Sequence, residues 1–300
     1  MNKPGALTSG SLIERAAELY GFGLPVTPLV LDQPAAEPAA AETAAPAEAP
    51  RPEPKPLPRR TRAFGPRAEV DREKLRVAGF MDPASPVGVL AEELRIVKRQ
   101  LLAAAGASQK AHTILICSAK PDEGKTFCAV NLALSLASER DVEVLLVDAD
   151  FPKPEILSIL GIEAEAGLVD ALADPAIDPE TLIVQTDIDG LSVLPAGRQV
   201  TDVTELLASE RTREIIGGLA RPDRIILFDS PPALMASPAT VLATHAGQLL
   251  MVVRADRTTE ADLREAVALL SGCDKVSLLL NGTGFAASGR RFGSYYGYGQ

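Results

Sequence analysis

Short, almost uninterrupted apolar runs punctuate the later part of this chain: TILIC (113–117), VEVLLV (142–147), LSVL (191–194), RIILF (224–228), QLLMVV (248–253) and VSLLL (276–280). A strand with one wet face alternates polar and apolar residues. These runs do not, so they are expected to be buried on both faces, in a parallel sheet covered by helices. Helical stretches such as TFCAVNLALSLASER and EADLREAVALLSG separate most of them. That rhythm predicts a doubly wound α/β fold, with a mostly parallel sheet and helices on both faces.

The N-terminal region has a different character. Residues 11–20, SLIERAAELY, read as a short amphipathic helix capped by Ser11, marginal in isolation. Between residues 33 and 58 Ala, Pro and Glu dominate, which is too little apolar surface to order a chain. Arg59, Arg60, Arg62 and Arg67 then form a basic cluster, read as a solvated linker end or as a contact for anionic lipid or an acidic partner. The expected organisation is a mostly disordered region over 1–85, a folded domain over 86–288 and a flexible Gly/Tyr-rich tail over 289–300.

Charge and composition exclude several classes. The formal net charge is -10, which disfavours a nucleic-acid partner. Three cysteines in no metal-like spacing and only two histidines argue against a disulfide framework, a metal cage or a histidine-based triad. A reducing, cytoplasmic location is expected. No run reaches membrane-span length and no signal-peptide order is seen, so recruitment to the inner face of the membrane would go through a partner.

The segment SAKPDEGKT (118–126) follows one apolar run and opens a helical one. In that turn Gly124 lets the backbone approach a phosphate, Lys125 reaches β and γ phosphates, and Thr126 offers its hydroxyl to Mg²⁺. Lys120, Asp122, Glu123 and Phe127 complete the candidate ATP site. Ala119 stands where the strict GxxxxGK[ST] pattern has its first glycine. Asp148 and Asp150 in VLLVDAD, and Asp229 in IILFDSPP, end two further strands, and parallel sheets collect ligands at that edge. Three carboxylates facing a triphosphate require a divalent cation among them, so Mg²⁺ is implied, with Thr126, Asp150 and Asp229 as its candidate holders.

In order and spacing these segments resemble the Walker A, Walker A′ and Walker B series of the bacterial P-loop tyrosine kinases of polysaccharide export, the BY-kinases. The similarity runs over about residues 88–300, in the branch without its own transmembrane segments that includes the exosortase-associated autokinases. It implies a deviant-Walker P-loop NTPase fold and ATP-dependent tyrosine autophosphorylation that regulates exopolysaccharide chain length or export. Lys125, Asp148 and Asp150 would be catalytic, with Asp148 approaching the tyrosine hydroxyl, and Asn281 in LLLNG would lie near the adenine. The helix EELRIVK resembles the family's oligomerisation helix through Glu92, Arg95 and Lys98. An integral membrane copolymerase as activator, a homo-oligomeric ring and a phosphotyrosine phosphatase are the partners the resemblance implies.

The tail carries Tyr295, Tyr296 and Tyr298 in RRFGSYYGYGQ, interrupted by glycines, which reads as a set of accessible hydroxyls rather than a packed element. Transfer between neighbouring subunits is the expected geometry. Two departures from the family pattern bear on rate: Asp122 replaces a loop glycine, and Pro152 replaces a basic residue, leaving Lys153. Asp122 fits if it takes a left-handed backbone and points outward. The rival reading is a partition or division-positioning ATPase, a nucleotide-switched dimer, suggested by Lys120 at the place of that group's signature lysine.

Overall fold

The computed structural model describes residues 65–82, 84 and 88–283; the helix expected at 11–20, the linker, Arg59, Arg60, Arg62 and the tail tyrosines lie outside them. Among these residues are the strands β1 (Arg67–Ala68), β2 (Thr113–Ser118), β3 (Glu143–Asp148), β4 (Val184–Thr186), β5 (Leu191–Leu194), β6 (Arg224–Asp229), β7 (Gln248–Arg254) and β8 (Val276–Asn281). They form one sheet in the order β1-β4-β5-β3-β6-β2-β7-β8. Every neighbouring pair is parallel except β4 with β5, where Val184 faces Val193 in antiparallel register.

The apolar runs work as expected in the middle of the sheet, where successive side chains feed opposite cores. Leu115, Cys117, Leu145, Val147, Ile226 and Phe228 point to one. Ile114, Ile116, Val144, Leu146, Ile225 and Leu227 point to the other. Helices α1 (Arg72–Val77), α2 (Val89–Ala105), α3 (Lys125–Ala137) and α4 (Ile156–Leu160) cover the second face. The first is covered by α5 (Leu168–Ala173), α6 (Val203–Leu207), α7 (Glu210–Leu219), α8 (Pro238–His245) and α9 (Glu260–Leu269). Leu146 is fully buried, and its truncation to alanine would cost about 2–5 kcal/mol.

Two sequence expectations need correction. The folded part begins well before residue 86: β1 pairs with β4, Arg67 opposite Gln185, and α1 packs near α4 with Val70 and Leu75 buried. Asp71 caps α1 by accepting from the Lys74 amide at 2.9 Å, while its own amide donates to the Leu160 carbonyl at 2.9 Å. Backbone pairing with distant segments, which leaves no hydrophobic pattern, orders this strap. The run VSLLL is not buried on both faces either. As the edge strand β8 it leaves Val276, Leu278 and Leu280 exposed by 37%, 60% and 58%.

Candidate functional site

β2, β3 and β6 deliver their last residues to one edge of the sheet. Asp148 stands opposite Asp229 in the β3–β6 register, and Ile116 of β2 is opposite Asp229 on its other side. The chain leaving β2 therefore passes directly over these carboxylates before it enters α3.

That passage is a tightly held loop. Ser118 donates from its hydroxyl to the Lys120 carbonyl at 2.8 Å. Asp122 is exposed at φ 61°, the left-handed backbone expected for a residue in a glycine's place. Gly124 has φ 91°, a conformation that favours glycine, and a Cβ on it would lie 2.1 Å from the Asn281 amide nitrogen and push that side chain away. The Asn281 side chain itself donates to the Glu123 carbonyl at 2.9 Å, holding the loop from the end of β8.

Glu123 differs from its expected role. Its side chain turns inward, 2% exposed, and accepts from the Lys120 amide at 2.9 Å and the Thr258 hydroxyl at 2.5 Å. It shapes the loop rather than facing a phosphate. Lys120 also turns aside: its ammonium pairs with Asp262 at 2.6 Å, at the start of α9. Lys120, with the Thr259 hydroxyl, pulls the Asp262 carboxyl down to about 2. Asp262 also closes a capping box with Thr259 at the start of that helix, and so serves both the helix end and Lys120.

Lys125 occupies the centre. Its ammonium lies 2.5 Å from Asp150 and 3.2 Å from the Thr126 hydroxyl. Burial works against its charge, but Asp229 and Asp150 outweigh it and hold its pKa above normal. Burial raises the Asp229 carboxyl to about 7, with Lys125 and the Thr126 hydroxyl opposing. Oδ1 of Asp229 is buried without a hydrogen-bond partner. Asp148 is also raised to about 7 by burial, while its oxygens accept from the amides of Ile156 at 3.1 Å and Asp150 at 3.3 Å. Three carboxylates against one lysine leave room for a cation, and the orphaned Asp229 oxygen beside Thr126 fits a hard divalent ion. Among the described residues no cluster of three or more His, Cys, Asp or Glu forms a ready-made cage, so phosphates and water would complete its shell.

A cleft of about 600 Å³ opens over this centre. Its floor is Lys125, Thr126 and Asp150, and its rim carries Asp122, Lys153 and Glu155. Apolar side chains complete the lining: Phe80 from the strap, Phe127, Ile159 and Met235. Phe127 packs against Phe80 in a tilted arrangement, with ring centroids 5.0 Å apart. Phe80, Ile159, Met235 and Thr258 had no sequence signal of their own. A wider groove of about 940 Å³ between Asp71 and Glu165 contains none of the loop residues.

The helix residues separate. Glu92 and Arg95 pair with each other at 2.6 Å on the exposed face of α2. Lys98 is buried, donating to the Ser135 carbonyl at 2.8 Å and the Ser138 hydroxyl at 3.1 Å, and pairing with Glu139 at 2.9 Å. It caps the end of α3 instead of facing outward.

A family model described as an AAA domain matches residues 111–271. The tyrosine-protein kinase wzc of Salmonella typhimurium is 30% identical over 215 residues, covering 72% of this chain but 29% of that protein. The tyrosine-protein kinase YwqD of Bacillus subtilis is 27% identical over 214 residues, covering 71% of this chain and 87% of YwqD. The chain thus spans less than a third of the wzc protein and most of the YwqD one. Among solved structures, the kinase domain of the Escherichia coli tyrosine kinase ETK superposes with a TM-score of 0.60 at 26% identity, over 70% of this chain and 80% of that one.

Proposed function

We propose, from the premise that this chain belongs to the AAA-domain family of P-loop proteins and is homologous to bacterial tyrosine kinases, that it is an ATP-dependent protein-tyrosine autokinase. The observation that carries the reading is the convergence of Lys125, Thr126, Asp148, Asp150 and Asp229 at one sheet edge. Nucleotide phosphates would lie against the free amides at the start of α3, with Lys125 leaving Asp150 for the transferring phosphoryl group. Mg²⁺, held by Thr126 and Asp229, would supply charge neutralisation when bound.

In the reaction the phenolic oxygen forms a bond to the γ phosphorus. The bond from that phosphorus to the β–γ bridging oxygen breaks, and ADP leaves with the electron pair. The phenolic proton, with an ordinary pKa of about 10, passes to a carboxylate. Asp148, raised to about 7, is suited to receive it at neutral pH. The acceptors would be Tyr295, Tyr296 and Tyr298 of a neighbouring subunit in a ring. The role read here is regulation of exopolysaccharide chain length or export, with a membrane copolymerase as activator and a phosphatase as antagonist, as the resemblance of the Walker segments implies. The reading includes a cytoplasmic location and recruitment through that partner; no helix among the described residues is long and apolar enough to cross a membrane.

The Lys120–Asp262 pair favours this reading over a partition-type switch, because the lysine at the place of that group's signature residue is engaged within its own chain. Mass spectrometry of the full chain incubated with Mg-ATP, alone and with the cytoplasmic segment of a candidate membrane partner, tests the proposal. Phosphotyrosine on the last six residues is expected, and Lys125→Met protein should be labelled only by an active copy. ADP release with an unmodified tail would overturn it.

A further inference from the structure

The apolar wall of the cleft has no use for a triphosphate. Polar groups of the floor satisfy phosphates, yet Phe80, Phe127, Ile159 and Met235 present hydrocarbon to the same space, with Met235 67% exposed. Exposed apolar surface beside a reaction centre marks a binding surface for something apolar.

How Phe80 gets there argues for a built feature. Asn131, fully buried on α3, donates to the Phe127 carbonyl at 2.9 Å and accepts from the Met81 amide at 2.7 Å. The Phe80 amide donates to the Leu75 carbonyl at 2.9 Å. One buried side chain therefore fixes the end of the strap against the helix that begins at Lys125, and sets Phe80 on Phe127. Phe80 lies outside the segment matched by the family model, so the strap adds an aromatic ring to a lining whose other apolar members, Phe127, Ile159 and Met235, belong to the matched segment.

Resting on the kinase reading, we propose that Phe80, Ile159 and Met235 form the acceptor subsite, which takes the phenol ring of a tyrosine from the tail of a second copy. A ring lodged on this wall has its hydroxyl toward the floor of Lys125 and Asp150, where the phosphoryl group is transferred. The occupant follows from the chain itself. β8 ends at Asn281, at the same sheet edge as the cleft, and the remaining residues 282–300 carry the three tyrosines Tyr295, Tyr296 and Tyr298. Phe80 thereby selects an aromatic acceptor over serine or threonine, whose short side chains cannot span the wall.

The test uses the full chain with Tyr295, Tyr296 and Tyr298 replaced by alanine, so that its own tail does not compete. The probe is a fluorescein-labelled peptide RRFGSYYGYGQ, read by anisotropy with a non-hydrolysable ATP analogue and Mg²⁺, and the unlabelled peptide as substrate. Phe80→Ala and, at the exposed rim where folding is not at stake, Met235→Asp should each weaken peptide binding and raise its KM by about tenfold. Phe80→Tyr should restore both, and affinity for a fluorescent ATP analogue should stay within about twofold. Weakened nucleotide affinity with unchanged peptide binding would make the wall a base site and overturn the proposal, as would unchanged peptide binding in both variants. Absence of phosphotyrosine despite Phe80-dependent peptide binding would instead overturn the kinase reading and leave the subsite standing.

Discussion

The Lys125 ammonium lies 2.5 Å from a carboxylate oxygen of Asp150, joining the loop after β2 to the loop after β3 through a pair whose side chains are 11% and 5% exposed. Such a pair contributes little net stability while intact, because both charges are desolvated, but removing one partner strands the other. Lys125→Met is therefore expected to lower stability by about 3–5 kcal/mol as well as to reduce phosphotyrosine formation by roughly a hundredfold or more. Adding Asp150→Asn should recover most of the stability and none of the activity. Urea unfolding of the single and double variants separates the two effects; equal stability of Lys125→Met and the parent would mean that the ion pair does not persist in solution.

The raised carboxyls of Asp148 and Asp229, both at about 7, make a pH prediction. A carboxyl whose folded pKa exceeds its unfolded value of about 3.9 is favoured in the folded state when protonated. Its stabilising effect is complete below about pH 4, declines as pH rises through 4–7, and is gone above 7. A divalent cation with ADP needs the ionised forms, so its stabilisation should run the opposite way. The melting-temperature gain from Mg-ADP is expected to be larger at pH 8 than at pH 6, by roughly 3–6 °C. Asp229→Asn should flatten that dependence. A gain independent of pH in the parent protein would argue that these carboxyls are ionised throughout.

The middle of the sheet was legible because β2, β3 and β6 carry apolar residues on both faces, a pattern that few other settings tolerate. The meeting of Lys125, Asp148, Asp150 and Asp229 followed, since parallel strands deliver their ends to one edge. What escaped depends on topology and not on local pattern. VSLLL has the same composition as the inner strands, and only its last place in the strand order exposes Leu278 and Leu280. Glu123 was placed in the candidate ATP site by its position in the loop, and its inward tether was not legible because its partner Thr258 is 135 residues away. Lys98 was read as an outward charge because its acceptors, Ser135 and Glu139, belong to another helix.

The inward tether of Glu123 gives a third expectation. Thr258→Val keeps the volume but removes the hydroxyl donor, leaving a buried carboxylate with one fewer partner and a loop free to shift. Apparent affinity for ATP should weaken by about tenfold, or ~1.4 kcal/mol, with turnover at saturating ATP within about threefold. Thr258→Ser, which restores the donor, should return affinity to near the parent value. A turnover defect at saturating nucleotide, with unchanged affinity, would show that Thr258 acts on the reaction and not on loop shape.

Lys98 and the Glu92–Arg95 pair should part company under mutation, although all three lie on α2. Lys98 serves the end of α3, where its ammonium meets the Ser135 carbonyl and Glu139, whose carboxyl it draws below the normal range. Lys98→Met should lower the melting temperature, at a cost of about 1–3 kcal/mol, and leave the mass of any assembly unchanged. Glu92→Lys combined with Arg95→Glu retains an exposed ion pair and should barely alter stability, since such pairs contribute about 0–1 kcal/mol. If the outer face of α2 joins subunits, that reversed pair should shift the assembly toward monomer in light scattering, because a neighbour's complementary charges then meet like charges. An unchanged assembly with the reversed pair would move the subunit contact off this face, and loss of assembly on Lys98→Met with unaltered melting would contradict the inward role assigned to that lysine.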